Sequence, residues 1–279
     1  MTGVLLPRSL DELWNALYAH PDSCLFSGGT DLLVKRRGGS ICPSALIGLE
    51  RIPELRGVRE EGDDIVIGAV TPVAHLVSDV RIATAFPVLS AALGTIGGPA
   101  IRNMATIGGN ICTASPAGDS LPPLSVLDGE LILKSPSGER CVPIRDFITG
   151  PGTTCLQRGE VLAAVRLKRG HGLNLQHFEK VGQRKAHAIA IASLAVCATR
   201  QDDGTVHNVR CAWGSVGPRI VESPAVHAIL SGHRLTDTLL AEAAGVARRE
   251  VCPIDDIRAS ADYRRTVAGN LLLRLSAWR

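Results

Sequence analysis

Two short segments far apart in the chain, Ser27-Gly28-Gly29-Thr30-Asp31 and Thr106-Ile107-Gly108-Gly109-Asn110, share one pattern: a hydroxyl residue, paired glycines and then a polar side chain. Turns without side chains can aim several backbone N–H groups at one anion and let the ligand approach the backbone closely. Thr30, Thr106 and Asn110 add side-chain hydrogen bonds, so a phosphate fits either segment and a diphosphate would use both together. Neither segment matches G-x-G-x-x-G or G-x-x-x-x-G-K-S/T, so a Rossmann or P-loop assignment has no support. Either pair alone reads as an ordinary tight turn, and only the two taken jointly point to a ligand. Gly-Gly recurs at 38 and 97 as well, without a fixed period.

The second segment lies inside the most informative stretch, TIGGPAIRNMATIGGNICTASPAGDSLPPL, residues 95 to 124. There Asp119 follows the small residues ASPAG and precedes Leu121-Pro122-Pro123, whose prolines direct the local backbone. A carboxylate at this place can accept from a ribityl or ribose hydroxyl, or it can form an Asx turn or helix cap. Local sequence leaves both readings open.

Around these segments the pattern is α+β. Ser9 with Glu12 makes a capping box, and Leu10, Leu13, Trp14 and Leu17 have helical spacing, predicting a helix to Ala19. Cys24-Leu25-Phe26 reads as a strand, the pieces SALIGLE and DDIVIGAV as further strands, and Thr71-Pro72 and Phe86 to Leu93 as helical. GELILKSPSGERCVPI predicts a hairpin around Ser135 to Glu139, and VLAAVRLKR another strand, so an antiparallel sheet is implied. Past Gly170 and Gly172 new alternations begin, followed by the glycine-punctuated strand CAWGSVGPRI and helical sequence from Thr236 to Val251 and Ala261 to Trp278. Three units result: 1–56, 57–172 and an α+β unit 173–279.

A chain of 279 residues is long enough for two or three subdomains with a sizeable core. Its net charge of +3, from 30 basic and 27 acidic residues, and its 3% aromatic content give neither a phosphate-tracking surface nor a base-stacking platform, which argues against nucleic acid. The start MTGVLLPRSLDELW lacks the basic and long apolar regions of a secretory signal, and the most apolar stretch, 188–198, is about half the ~20 residues of a membrane span. Eight cysteines, Cys24, Cys42, Cys112, Cys141, Cys155, Cys197, Cys211 and Cys252, form no CxxC pair, and the histidines form no HExxH. A cytoplasmic chain with reduced thiols and no metal of its own is expected.

LFSGGTDLLV, IGGPAIRNMATIGGNICTASPAGDSLPPL, GEVLAAVRL, FEKVGQR and DIRASADYRR, in this order over nearly the whole chain, closely resemble the flavin-carrying medium subunit of molybdenum hydroxylases. That family includes xanthine dehydrogenases and carbon monoxide dehydrogenases. The resemblance implies a vanillyl-alcohol-oxidase-type (PCMH-type) FAD-binding fold in two subdomains, with a C-terminal α+β domain of the CO dehydrogenase flavoprotein type covering the flavin.

It also implies site residues. The loop Leu25, Phe26, Ser27, Gly28, Gly29, Thr30, Asp31 and Leu32 would hold the FAD diphosphate, completed by Thr106, Gly109, Asn110 and Thr113. Ser115 and Asp119 would meet sugar and linker hydroxyls, and the backbone of Leu162 the adenine or its ribose. Lys180 would lie near the isoalloxazine or serve as a salt-bridge partner, and Ile96 and Ile189 would flank the ring. No side chain is expected to act as nucleophile or general base, because the flavin carries the redox chemistry.

By the same resemblance, molybdopterin sits on a large partner subunit and two 2Fe–2S clusters on a small one, in a heterotrimer usually doubled. Electrons reach FAD and leave to NAD, a quinone, oxygen or another acceptor. Two departures stand out. The segment Gln183 to Ile191 places Lys185 and His187 where relatives often carry acidic sequence, and Ala188 where an aspartate is common, so this loop is expected to influence the choice of oxidant. The direct run from Asn110 to Leu124 leaves no room for the cysteine-rich insertion that holds a four-iron cluster in relatives of the hydroxybenzoyl-CoA reductase type. Two rival readings remain at this level: a stand-alone FAD-dependent oxidoreductase of the same fold, and a non-catalytic scaffold that has lost FAD.

Overall fold

Ser9 opens the first helix as the capping box predicts, its Oγ accepting from the Glu12 N–H at 3.2 Å. The Glu12 carboxylate reaches back to the Arg8 N–H at 2.7 Å, one residue before the usual partner. The resulting helix α1 (Leu10–Ala19) buries Leu13 against Ile47, Leu49, Ile52 and Leu55. In this computed structural model residues 3–170 and 172–278 are described. Three strands, β1 (Gly3–Leu5), β2 (Cys24–Phe26) and β3 (Ala45–Gly48), form a parallel sheet in the order β1-β3-β2. Parallel neighbours need crossover connections. Here α1 follows β1, and α2 (Leu32–Arg37) follows β2, so the Ser27–Asp31 loop is the turn from β2 into α2.

The middle of the chain starts with the strands β4 (Val58–Glu61) and β5 (Asp64–Gly68) and then runs through six short helices. These are α3 (Val73–Ser78), α4 (Val80–Ala85), α5 (Pro87–Gly94), α6 (Pro99–Met104), α7 (Ile107–Cys112) and α8 (Leu121–Val126). Prolines at the starts of α5, α6 and α8 begin a helix without needing a backbone donor. The hairpin β6 (Glu130–Ser135) and β7 (Gly138–Pro143) turns where the sequence expects, with Ser135 opposite Gly138. After α9 (Ile144–Phe147) and the ribbon of β8 (Ile148–Gly150) and β9 (Thr153–Thr154), β10 (Val161–Lys168) inserts between β5 and β6. The antiparallel order is β4-β5-β10-β6-β7. Ile65, Ile67, Leu131, Leu133 and Val165 on one face pack against Leu76, Leu89, Leu93, Ile111 and Leu124 of the helices.

The last unit is an antiparallel sheet of β11 (Leu175–Val181), β12 (Ala192–Arg200), β13 (Thr205–Gly214) and β14 (Val221–Glu222), in that order. It carries the helix α10 (Pro224–Leu230), a short β15 (His233–Arg234) also paired with β13, and helices α11 (Asp237–Glu250) and α12 (Ala261–Leu273). Both faces are buried, which is why β12 reads as a continuous apolar run. Leu194, Val196 and Trp213 face α11 and α12, and the Trp213 Nε1–H donates to the Ala268 carbonyl at 3.1 Å. Ala195, Cys197 and Ala212 on the other face join the core of the middle unit, so the two units share one packed layer. The expected second C-terminal helix is shorter than its apolar pattern: α12 stops at Leu273 and a 3₁₀ segment continues to Trp278.

Candidate cofactor site

The two glycine segments meet. Ser27 Oγ lies 2.7 Å from Thr106 Oγ1, joining the end of β2 to the start of α7. Gly28 has no room for any side chain, since a Cβ there would stand 1.7 Å from the Met104 carbonyl oxygen, and Gly29 takes a left-handed φ of +68°. Sequence reasoning took the second pair as a turn, and the structure corrects this: Gly108 and Gly109 lie in α7, with Thr106 as its cap accepting from the Gly109 N–H at 3.1 Å. The two glycines have different work. Gly108 lets the helix press on Ala69, whose Cβ would be 2.6 Å from an added methyl, whereas Gly109 faces Ser27 Oγ at 3.5 Å from the same position.

One turn further on, Thr113 Oγ1 donates to the Gly109 carbonyl at 2.9 Å and reaches Asp31 Oδ2 at 3.5 Å. Asp31 is held in turn by Lys35 at 2.7 Å. Ser27, Gly28, Gly29, Asp31, Thr106, Gly109 and Thr113 are therefore brought together, with Thr30 and Leu32 in the same turn and helix start. Leu25 and Phe26 are strand residues opposite Ile47 and Gly48. Leu162 lies on β10 with its side chain in the core, next to a register shift that frees the local backbone from the regular ladder.

Asn110 and Asp119 belong to a second group. Ser120, fully buried and not singled out by the sequence, donates from Oγ to Asn110 Oδ1 at 2.6 Å and so orients the amide. Asp119, 7% exposed, receives the Lys180 ammonium on Oδ2 at 2.5 Å, and the same ammonium donates to the Thr95 carbonyl at 3.2 Å. The salt-bridge reading of Lys180 is thus realised, while the cap reading of Asp119 is not: Ser120 holds the N-cap position of α8. Burial raises the Asp119 carboxyl to about 6 despite the opposing pull of Lys180. Its Oδ1 is buried and has no hydrogen-bond partner, a costly condition that a ligand hydroxyl would relieve. Ser115 Oγ accepts the Ala117 N–H at 3.2 Å.

The remaining candidates lie where the last unit folds over the middle one. Ile96 is buried in the core, and Ile189 is half exposed. The His187 imidazole presses on Gly98, where a Cβ would stand 2.2 Å from Nε2, and His187 itself has a left-handed φ of +52°. The segment 183–191 is thereby seated on the loop 95–98. A cleft of about 490 Å3 opens beside it, lined by Thr95, Lys180, Arg184, Lys185 and Arg274 among others. Burial pushes the Cys112 thiol up to about 12, so it is a neutral thiol near the loops. Among the described residues no cluster of three or more His, Cys, Asp or Glu side chains is placed to hold a metal.

Comparison with known proteins bears on the family and the fold. Residues 1–167 match the family model of the FAD binding domain in molybdopterin dehydrogenase, and residues 177–278 that of the CO dehydrogenase flavoprotein C-terminal domain. The chain is 34% identical over 260 residues to the carbon monoxide dehydrogenase medium chain of Hydrogenophaga pseudoflava, covering 92% of this chain and 90% of that one. To the xanthine dehydrogenase FAD-binding subunit of Escherichia coli it is 32% identical, with coverage of 92% and 88%. The solved carbon monoxide dehydrogenase from Hydrogenophaga pseudoflava, lacking the Mo-pyranopterin moiety of its cofactor, superposes with a TM-score of 0.92 at 33% identity over 98% of this chain and 95% of that chain.

The fold and these matches define an oxidoreductase flavoprotein with a PCMH-type FAD-binding fold followed by a CO dehydrogenase flavoprotein-type domain. The chain belongs to the family of FAD-binding medium subunits of molybdenum hydroxylases.

Proposed function

We propose that this subunit takes electrons from 2Fe–2S clusters on a small partner subunit and passes them, through FAD, to NAD or another acceptor, while a large subunit oxidises the substrate at molybdopterin. The observation that carries the FAD assignment is the buried Asp119 Oδ1, which has no protein partner and stands beside Lys180 at the end of the segment that also supplies Gly109. Ser27 to Asp31, Thr106, Gly109 and Thr113 would surround the diphosphate, and Ser115 and Asp119 would accept or donate to the sugar and linker hydroxyls. Lys180, fixed by Asp119 and the Thr95 carbonyl, would place positive charge near the ring, with Ile96 and Ile189 as apolar neighbours.

When bound, FAD accepts an electron pair in single steps and releases it as a pair or singly, which suits a relay between iron–sulfur clusters and a two-electron oxidant. The work of the chain is to hold that group, exclude water around it and set the charge at its edge. We further propose a dimer of heterotrimers in the cytoplasm; no helix among the described residues is long and apolar enough to cross a membrane.

Stopped-flow reoxidation of a His187→Asp variant with NAD and with oxygen tests the acceptor role of the 183–191 segment. A changed ratio of the two rates supports it, and unchanged rates with both refute it. Co-purification with subunits carrying molybdopterin and iron–sulfur clusters tests the assembly.

A further inference from the structure

The motif DIRASADYRR, residues 256–265, is not used by the cofactor loops, yet it forms a dense polar hub. Asp256 Oδ1 accepts from the Arg258 N–H at 2.8 Å, the Ala259 N–H at 3.3 Å and the Arg264 guanidinium at 2.7 Å, and Oδ2 accepts from the Arg258 guanidinium at 3.0 Å. These donors hold the Asp256 carboxyl down to about 2, so the hub is charged over the whole working range of pH. Arg264, in the first turn of α12, is buried, and its Nη1 donates to the carbonyls of Ile191 at 2.7 Å and Ser215 at 3.2 Å.

Ile191 is the C-terminal end of the segment 183–191. Its N-terminal end is tied to the same hub, because Gln183 Nε2 donates to the Arg258 carbonyl at 3.2 Å. A third bond, from Ser215 Oγ to the Ala190 carbonyl at 2.7 Å, reinforces the rear tether. Inside the segment the Arg184 guanidinium bonds the carbonyls of Ala186 at 3.0 Å and His187 at 2.5 Å. The segment is thus clamped at both ends to one polar hub, which spans the loop before α12 and the start of that helix, and is braced internally, although it has no regular secondary structure.

What it holds in place is charge. Of the cations lining the cleft, Lys180 is paired with Asp119 and Arg274 with Glu179 at 2.9 Å, whereas Arg184 and Lys185 have no acidic partner among the described residues. The Arg264 guanidinium is buried while the Asp256 carboxylate is partly exposed, and burying a charge in this way is an expensive route to stability whose best-attested use is to specify one arrangement.

We infer that Asp256 and Arg264 are positioning residues: they hold the segment 183–191 against the loop 95–98, so that Arg184 and Lys185 present unopposed positive charge at the cleft and favour an anionic oxidant. This rests on the proposed reading that the segment borders the approach of the acceptor.

The test uses the full chain, as purified and after loading with FAD. In Arg264→Lys and in Gln183→Ala, whose exposed side chain is no part of the core, backbone amides of 184–190 should exchange with deuterium several-fold faster than in the parent chain. The FAD-loaded forms are then photoreduced and mixed with either of two oxidants. Ferricyanide is anionic, and two of its ions each take one electron; a neutral benzoquinone takes two electrons and two protons to become the hydroquinone. The ferricyanide rate should fall by roughly three- to tenfold in Arg264→Lys, within the range of electrostatic steering, and the benzoquinone rate should stay within about twofold. Added salt should shrink the difference. Unchanged exchange in both variants overturns the hub. Faster exchange with an unchanged ratio of ferricyanide to benzoquinone rates overturns the acceptor reading on which the proposal stands.

Discussion

FAD affinity should weaken about tenfold when the pH is lowered from about 7 to about 5, because one buried carboxylate must be ionised to receive the cofactor. Burial raises Asp119 to about 6 in the cofactor-free chain, and its Oδ1 has no partner there. A ligand hydroxyl donating to Oδ1 favours the ionised form, so binding releases a proton from whatever fraction of Asp119 is protonated. With a midpoint of about 6, the carboxyl is about nine-tenths protonated at pH 5 and about one-tenth at pH 7. The apparent Kd is then about 11 times its high-pH limit at pH 5 and about 1.1 times at pH 7, a difference of about 1.4 kcal/mol.

The stability of the cofactor-free chain should respond in the opposite direction. A carboxyl raised from 3.8 to about 6 on folding contributes stability that is fully present below about pH 3.8 and lost as the pH rises through about 6, roughly 3 kcal/mol for this group. The assay is a fluorescence titration of FAD with cofactor-free chain at constant ionic strength from about pH 5 to 7.5, paired with thermal melts of the same samples. A Kd constant within twofold over that range would refute the reasoning, whatever the melts show.

Replacing Lys180 by Met should raise the Asp119 midpoint further, because the cation now opposes the effect of burial, and the knee in FAD affinity should move towards neutral pH in the same titration. Gly28→Ala places a methyl on the Met104 carbonyl and should force a backbone shift costing about 1–3 kcal/mol, with FAD lost on gel filtration as read by flavin absorbance. Thr106→Val removes both the α7 cap and the partner of Ser27, and should lower stability by about 1–2 kcal/mol in urea melts while weakening FAD binding. Trp213→Phe, in the core under α12, should cost about 1–3 kcal/mol by opening space and losing the indole bond to the Ala268 carbonyl, with FAD Kd unchanged; a weakened Kd would mean that this core acts on the cofactor site.

Much of the architecture is local and was therefore legible. The Ser9 cap, the hairpin around Ser135 to Glu139 and the helix α11 each depend on residues a few positions apart, and all are realised. The second glycine pair was legible only as glycine. That Gly108 and Gly109 begin a helix depends on Ala69, more than 35 positions away in sequence, which packs on Gly108 and accepts its N–H at 2.8 Å.

By itself, the sequence determined the family, the presence of two glycine segments with hydroxyl neighbours, and the candidates Asn110, Asp119 and Lys180, because these are matters of residue type and order. Only the tertiary structure decided that Ser27 touches Thr106, that Ser120 orients Asn110, and that Asp119 is ion-paired on one oxygen and orphaned on the other. It alone ties the ends of the segment 183–191 to a hub some 70 residues further on. The reason is physical: hydrogen-bond partners and desolvation are properties of what surrounds a side chain, and here those surroundings are assembled from distant parts of the chain.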